Sequence, residues 1–245
     1  MKQRLVSTPQ PFTPHALASQ WRRLMPLLCL LYVPTLAVLL LLFGYWFFTR
    51  NDVSLLTRDP LAVVETELLK IQQHPEMGIH ALGELKLPLF TGFVSNLGVL
   101  LWASVVTACL LGWWISRANV TPRYSPRYLG SAGLISLLLL ADDLFLLHER
   151  VLSQWFGLDE KVLFGAYALA LATHLLVFSA DVLRSDFLLL GLAFLFLAGS
   201  LSVDLLPVSL PQPHFFEDGA KFTGILSWAG YHWHTVRQQL SPGNS

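Results

Sequence analysis

Long apolar runs recur along the chain and are separated by short polar segments. The first run, residues 25–48, contains no charged residue, and a helix needs about 20 apolar residues to cross a hydrocarbon core. A signal-peptide core is shorter, about 7–15 residues, so we interpret this run as a retained helix. Comparable runs occupy 90–116, 128–148, 162–183, 187–206 and 219–236. The pattern therefore predicts an all-α integral membrane protein, a bundle of about six transmembrane helices.

The longest hydrophilic segment, residues 49–89, contains a helical pattern of its own. Asp59 and Pro60 are typical of a helix start, a capping carboxylate followed by a proline in the first turn. Apolar residues then recur at helical spacing and predict an amphipathic helix: Leu61, Val64, Leu68 and Ile71. We expect this helix to lie on the membrane surface or to cap the bundle. A lid over an outward-facing site is the alternative.

The distribution of charge orients the spans. Residues 1–24 contain four basic residues and no acidic one, and the loop before the third span carries Arg123 and Arg127. The positive-inside rule places both segments in the cytoplasm, whereas the acid-leaning loop 49–89 is expected outside. We thus predict a cytoplasmic N-terminus (1–24), a single transmembrane domain (25–236) and a cytoplasmic tail (237–245).

The composition is typical of a membrane protein and argues against a nucleic-acid-binding protein. The chain is 54% hydrophobic and 13% charged, against about 25% charged in soluble domains. Its formal net charge of +0 offers no basic surface to a nucleic acid. The lipid bilayer is the expected partner, and an oligomeric partner stays open. We expect a bacterial inner (plasma) membrane, because the chain is short and has no recognisable eukaryotic sorting signal.

The third span ends in the unusual sequence LISLLLLADDLFLLHER, residues 134–150. A charge near bilayer depth costs at least ~2.5–3.5 kcal/mol on insertion scales, so a compensating group is expected. On an ideal helix Asp142 and Glu149 lie within about 20° of each other, whereas Asp143 points away. His148 lies about 120° from Asp142 and could equally face the headgroups.

The last span carries a matching polar stripe. Glu217 and Lys221 have the spacing of an intrahelical ion pair with the acid first. A stripe roughly 60° wide continues from them and predicts the side that faces the bundle: Gly224, Trp228, His232 and Thr235. His234 lies off this stripe.

The predicted topology gathers these polar residues at the outer face. The main cluster is Asp142, Glu149, Glu217 and Lys221. Weaker candidates are Asp143, His148, Asp204, His214, Asp218 and Asn96. In contrast, we interpret His174 as a helix-packing residue of the fourth span. We interpret most of five tryptophans as residues of the interfacial belts: Trp102, Trp113, Trp114, Trp155 and Trp233.

The excess of carboxylates in the outer cluster leaves several functions open. Such an excess favours a bound cation or protons held at raised pKa. Carboxylates with imidazole also suit a divalent metal, with Asp142, His148, Glu149 and Glu217 as possible ligands. We therefore expect a membrane protein whose outer cluster binds a cation or pairs helices. A metal-dependent hydrolase acting on a lipid and a proton- or ion-coupled transporter are the alternatives, and no catalytic residue can be assigned.

Overall fold

The computed structural model describes residues 13–49, 53–58, 60–73, 91–118, 122–147, 156–157, 159–205 and 211–241. All regular structure in these ranges is helical, which confirms the all-α prediction. The helices are α1 (Pro14–Thr49), α2 (Ser54–Thr57), α3 (Pro60–Gln73), α4 (Phe93–Ala118), α5 (Pro126–Phe145), α6 (Glu160–Val177), α7 (Ser179–Arg184), α8 (Leu188–Leu205) and α9 (Pro213–Leu240).

Among the described residues, 4 helices are long and apolar enough to cross a membrane, namely α1, α4, α5 and α6. The apolar helix α8 is shorter, and α9 covers the sixth predicted span but carries more charge. The structure thus supports a membrane protein, while a count of about six crossings stays a prediction.

The surface of α1 is suited to lipid. Only 6% of its apolar window is buried, and Leu41 and Phe48 are 73% and 84% exposed. A continuous apolar surface of this kind is unfavourable in water but compatible with a bilayer. The helix begins earlier than the apolar run, because the Thr13 hydroxyl accepts a hydrogen bond from the Ala16 backbone N–H at 3.3 Å and so caps the first turn.

The chain folds as two compact units. The first contains the described residues within 1–31, 99–193 and 225–245, and the second those within 32–98 and 194–224. In the first unit, Tyr124, Tyr128 and Leu129 form a buried core with Ala108 and Val236. These residues come from α4, α5, α9 and the α4–α5 connection, so the core joins elements distant in sequence.

Small residues let α4 and α5 pack closely in the first unit. A Cβ at Gly133 would lie 3.1 Å from Leu110 Cδ2 and 3.3 Å from Cys109 Cβ. Glycine removes that crowding, as small residues do in membrane helix pairs. Tight packing here fixes the buried face of α5, which carries Tyr128 and Asp142.

Helix ends position the remaining polar groups of the first unit. Asp159 caps α6 by accepting a hydrogen bond from the Lys161 backbone N–H at 2.9 Å. The α6 helix ends at Phe178, after which α7 begins. The Gln20 side chain of α1 accepts a hydrogen bond from the Leu188 N–H at 3.0 Å, which caps α8. This cap holds the α7–α8 junction, with Asp186, against α1.

The second unit contains a helix, α3, in the segment where the sequence predicts a surface helix. Helix α3 begins at Pro60 as predicted, although Asp59 lies outside the described residues. Its buried face differs from the prediction, because Val63 is 4% exposed whereas Leu68 is 46% exposed. Gly92, at φ +68, lies so close to Pro60 that a Cβ would be 2.3 Å from the proline ring. The chain therefore returns directly against the start of α3.

Candidate functional site

A buried carboxylate between α7 and α8 is the centre of the largest polar network in the described part of the first unit. The Asp186 side chain is 4% exposed and pairs with Arg23 Nη2 through Oδ1. Its Oδ2 atom lies 2.8 Å from His234 Nε2 and 2.9 Å from Gln238 Nε2. Burial acts to raise the pKa of Asp186, but the hydrogen bond from His234 and the charge of Arg23 outweigh it and hold that pKa below its ordinary value.

The network continues to the connection between α4 and α5. The buried Tyr124 hydroxyl donates to Gln238 Oε1, and the Tyr124 backbone N–H donates to Gln239 Oε1 at 2.9 Å. Burial raises the pKa of Tyr124 above its ordinary value, so this hydroxyl stays a donor at neutral pH. We call Arg23, Tyr124, Asp186, His234 and Gln238 the Asp186 network; it joins α1, α9 and two connections at one end of the first unit.

Three hydroxyl groups lead from this end into the bundle. Ser185 Oγ lies 2.7 Å from Tyr231 Oη, which lies 2.6 Å from Tyr128 Oη. We call Ser185, Tyr231 and Tyr128 the hydroxyl chain. The Tyr128 ring then stacks on His174 at 5.3 Å between centroids, and His174 Nδ1 lies 2.9 Å from Ser131 Oγ. His174 therefore packs between helices, in agreement with its interpretation from sequence.

Next to the hydroxyl chain lies a histidine with unsatisfied nitrogens. His232 is 1% exposed, and neither ring nitrogen has a hydrogen-bond partner among the described residues. Its ring centroid lies 4.7 Å from that of Trp228 and 4.9 Å from that of Tyr231. Most buried polar atoms in proteins are hydrogen-bonded, so His232 is an exception. Its burial, with that of Gly224, Trp228 and Thr235, agrees with the predicted bundle-facing stripe of the last helix.

The two carboxylates of the third predicted span face different helices. Asp142 is buried and accepts a hydrogen bond from the Tyr167 hydroxyl of α6. Asp143 accepts one from the Trp102 indole of α4 at 3.1 Å. Their divergence agrees with the helical phase derived from the sequence. Trp102 itself is 3% exposed, so it packs inside the first unit, where the half-buried Asp143 satisfies its indole N–H.

In the second unit, the start of α9 carries an acidic group of residues. Glu217 Oε2 lies 3.4 Å from His214 Nδ1. Asp218 is hydrogen-bonded to Thr57, and burial raises its pKa to about 6, with the neighbouring charge of Glu217 adding to that effect and that of Lys221 opposing it. This part of the predicted outer cluster is therefore a real local group.

Other residues of the predicted outer cluster are exposed or lie outside the described residues. Asp204 and Asn96 are exposed, and His148 and Glu149 lie outside the described residues. Within the described ranges, no group of three or more His, Cys, Asp or Glu residues is placed to hold a metal ion. The convergence of Asp142 and Glu149 with Glu217 and Lys221, and the divalent metal, stay predictions.

Only weak patterns in the sequence indicate the Asp186 network. Asp186 lies in a short polar break between two apolar runs, which resembles an ordinary loop. His234 and Gln238 are four residues apart, a spacing that places them on the same face of α9, but this face was separate from the stripe defined by Glu217 and Lys221. That i, i+4 pair was the local signal for the site.

Together, the apolar helices and buried polar network define a helical protein of the membrane class. The chain matches the family described as Domain of unknown function (DUF8692) over residues 30–235, and it belongs to that family. The matched range includes Asp186 and His234 but begins after Arg23. Neither the curated proteins nor the solved structures yield a match to this chain.

Proposed function

We propose that the chain crosses a bacterial inner membrane about six times, with both termini in the cytoplasm. The Asp186 network supports this orientation, because it gathers Arg23 near the N-terminus, Tyr124 in the basic α4–α5 connection and Gln238 near the C-terminus. The positive-inside rule predicts the cytoplasmic side for each of these basic segments. An even number of crossings follows if both ends lie on one side.

The function that the geometry favours is non-enzymatic. In this proposal, the protein is a polytopic membrane subunit whose buried polar groups fix the register of its helices and so maintain a defined surface for assembly in the bilayer. The observation that carries it is the convergence on Asp186 of Arg23, His234 and Gln238. Buried polar groups are best attested as determinants of register, and α1 and α9 meet through this carboxylate.

Replacement of Asp186 tests the proposed role. Asp186→Ala leaves Arg23, His234 and Gln238 without their acceptor, and we expect it to lower the free energy of unfolding by roughly 2–4 kcal/mol. For a chain of this size the corresponding fall in Tm is roughly 5–10 °C, measured by thermal unfolding in detergent. Asp204→Ala removes an exposed carboxylate and is the matched control. Equal Tm values for Asp186→Ala and the wild type would remove the proposal.

A second candidate, a proton- or ion-coupled membrane protein, is favoured by the hydroxyl chain. Ser185, Tyr231 and Tyr128 are in continuous hydrogen-bond contact, and each hydroxyl can both donate and accept. Tyr128 then stacks on His174, and His232 lies against Tyr231. Chains of ionisable and hydrogen-bonding groups within a membrane are typical of proton relays.

Proton flux into liposomes tests the second candidate. Tyr231→Phe keeps the ring and removes the hydroxyl that joins Ser185 to Tyr128, so flux through a relay is expected to fall at least about tenfold, the effect of losing one transfer group. Tyr45→Phe, at an exposed position, is the control. Wild-type flux no greater than that of empty liposomes would remove this candidate.

For the outer cluster we propose that it binds a cation, or a metal ion with which the protein hydrolyses a lipid. This proposal rests on the burial of Asp142. Metal analysis of purified wild type beside Asp142→Asn tests it. A metal content that is equal in the two proteins would count against Asp142 as a ligand.

A further inference from the structure

A groove of about 650 Å³ lies in the first unit between faces of α1, α4 and α9. Six leucines line it, among them Leu27, Leu30, Leu101 and Leu226. Leu30 is 70% exposed, so the groove opens on the apolar surface of α1. Its volume is within the range of about 300–1,000 Å³ that is typical of ligand pockets.

Glycine keeps two of the groove-forming helices close together. A Cβ at Gly230 would lie 2.6 Å from Leu31 Cδ1, which means that α1 and α9 approach more closely than a larger residue would allow. The helices run in opposite directions here, because Arg23 and His234 share Asp186 while Leu31 lies against Gly230. Arg23 and Leu31 are separated by about 12 Å of helix, so the groove has a polar end and an apolar end.

The polar end of the groove carries an excess of positive charge. Arg23 and Arg237 both line it, while Asp186, the carboxylate paired with Arg23, balances one of them. The Arg23 side chain remains 52% exposed. Arg237 is exposed and has no ion-pair partner among the described residues. One positive charge is therefore left at the mouth of an apolar groove.

We propose that this groove binds one anionic phospholipid, with an acyl chain along the leucines and the headgroup phosphate at Arg237. Basic pockets between transmembrane helices on the cytoplasmic side are suited to acidic headgroups. Trp233, whose indole donates to Ser104 at 3.3 Å, lines the same end, and tryptophan is favoured at headgroup depth. A lipid fits better than a free anion because most of the lining is apolar and opens on the surface of α1.

Lipid titration with native mass spectrometry tests this site. The full-length protein in neutral detergent receives phosphatidylglycerol or phosphatidylcholine with identical acyl chains, and we expect tighter retention of phosphatidylglycerol. One basic residue near a headgroup contributes about a fivefold change in affinity, so Arg237→Gln should weaken phosphatidylglycerol binding about fivefold. Arg237→Lys keeps the charge and should bind within about twofold of wild type.

Matched variants separate this site from general electrostatic attraction. Arg127→Gln removes an exposed arginine of α5 that does not line the groove, and it should leave the affinity unchanged. Equal loss in Arg127→Gln and Arg237→Gln would overturn the proposal, as would equal retention of the two lipids. Displacement of the lipid by millimolar inorganic phosphate would show a small-anion site instead. None of these outcomes depends on the role of Asp186 in helix register, because that role is tested by thermal unfolding and this one by lipid affinity.

Discussion

At the scale of single residues, His232 is unusual because it is buried and its ring nitrogens have no hydrogen-bond partner among the described residues. A buried polar group without a partner costs about 1–3 kcal/mol. His232→Leu removes those nitrogens at similar volume. We therefore expect a Tm equal to or above that of the wild type by thermal unfolding.

The matched variant for this prediction is His174→Leu. His174 is also buried, but its Nδ1 lies 2.9 Å from Ser131 Oγ, so this replacement breaks a hydrogen bond and should destabilise by about 1 kcal/mol. A larger loss of stability in His232→Leu than in His174→Leu would show that His232 makes a polar contact essential to the fold.

Asp218, just before the sixth predicted span, should make stability depend on pH. Burial raises its pKa to about 6 in the folded protein, above the unfolded value of about 3.9. The folded state then holds its proton more tightly, so stability is greatest below about pH 4 and falls as the pH rises toward 6. The loss is of the order of 2–3 kcal/mol.

Melting curves recorded between pH 4 and 7 measure this effect when those of the wild type are compared with those of Asp218→Asn. Asp218→Asn cannot ionise, so the fall in Tm across this range should be smaller in that variant than in the wild type. Asp204→Asn, which alters an exposed carboxylate, should follow the wild type. Parallel curves for Asp218→Asn and wild type would show that the ionisation of Asp218 is not linked to folding.

At the scale of helices, close packing of α8 and α9 in the second unit depends on one glycine. A Cβ at Gly224 would lie 2.7 Å from Leu197 Cγ and 3.0 Å from its backbone nitrogen. Because the backbone cannot rotate away, Gly224→Ala should destabilise by about 1–3 kcal/mol. Gly191→Ala is the control: its Cβ would meet nothing within 4 Å, and alanine should stabilise the helix by about 0.5–1 kcal/mol. A change in stability of the same sign for both variants, measured by thermal unfolding, would show that Gly224 is not needed for this packing.

Helix positions were largely predictable because they follow local rules. Runs of apolar residues located the long helices, and the proline at position 60 located the start of α3. The face that α3 buries was not predictable, because Val63 and Leu68 are both apolar and only tertiary packing selects Val63. Phase along a single helix was more informative, since it separated Asp142 from Asp143 correctly.

At the scale of the whole molecule, the sequence predicts a polar cluster that includes Asp142 and Glu217. The largest hydrogen-bonded network described above is instead centred on Asp186. Asp142 is about 21 Å along α5 from Tyr128, which begins the hydroxyl chain near the Asp186 network. Arg23 and Asp186 are 163 positions apart in sequence, so no local period could connect them. Asp186 also lies in a short polar break between two apolar runs. A carboxylate is common at such a position, so its presence there does not by itself indicate a site.

A double-mutant cycle measures whether the Asp186 network couples α9 to the α7–α8 junction. Asp186→Ala, His234→Ala and the double variant are unfolded under identical conditions, and the coupling free energy is taken from their differences. A contact of 2.8 Å between a buried carboxylate and an imidazole predicts a coupling of about 1–3 kcal/mol. Additive effects, within about 0.5 kcal/mol, would show that Asp186 and His234 do not couple these two parts of the fold.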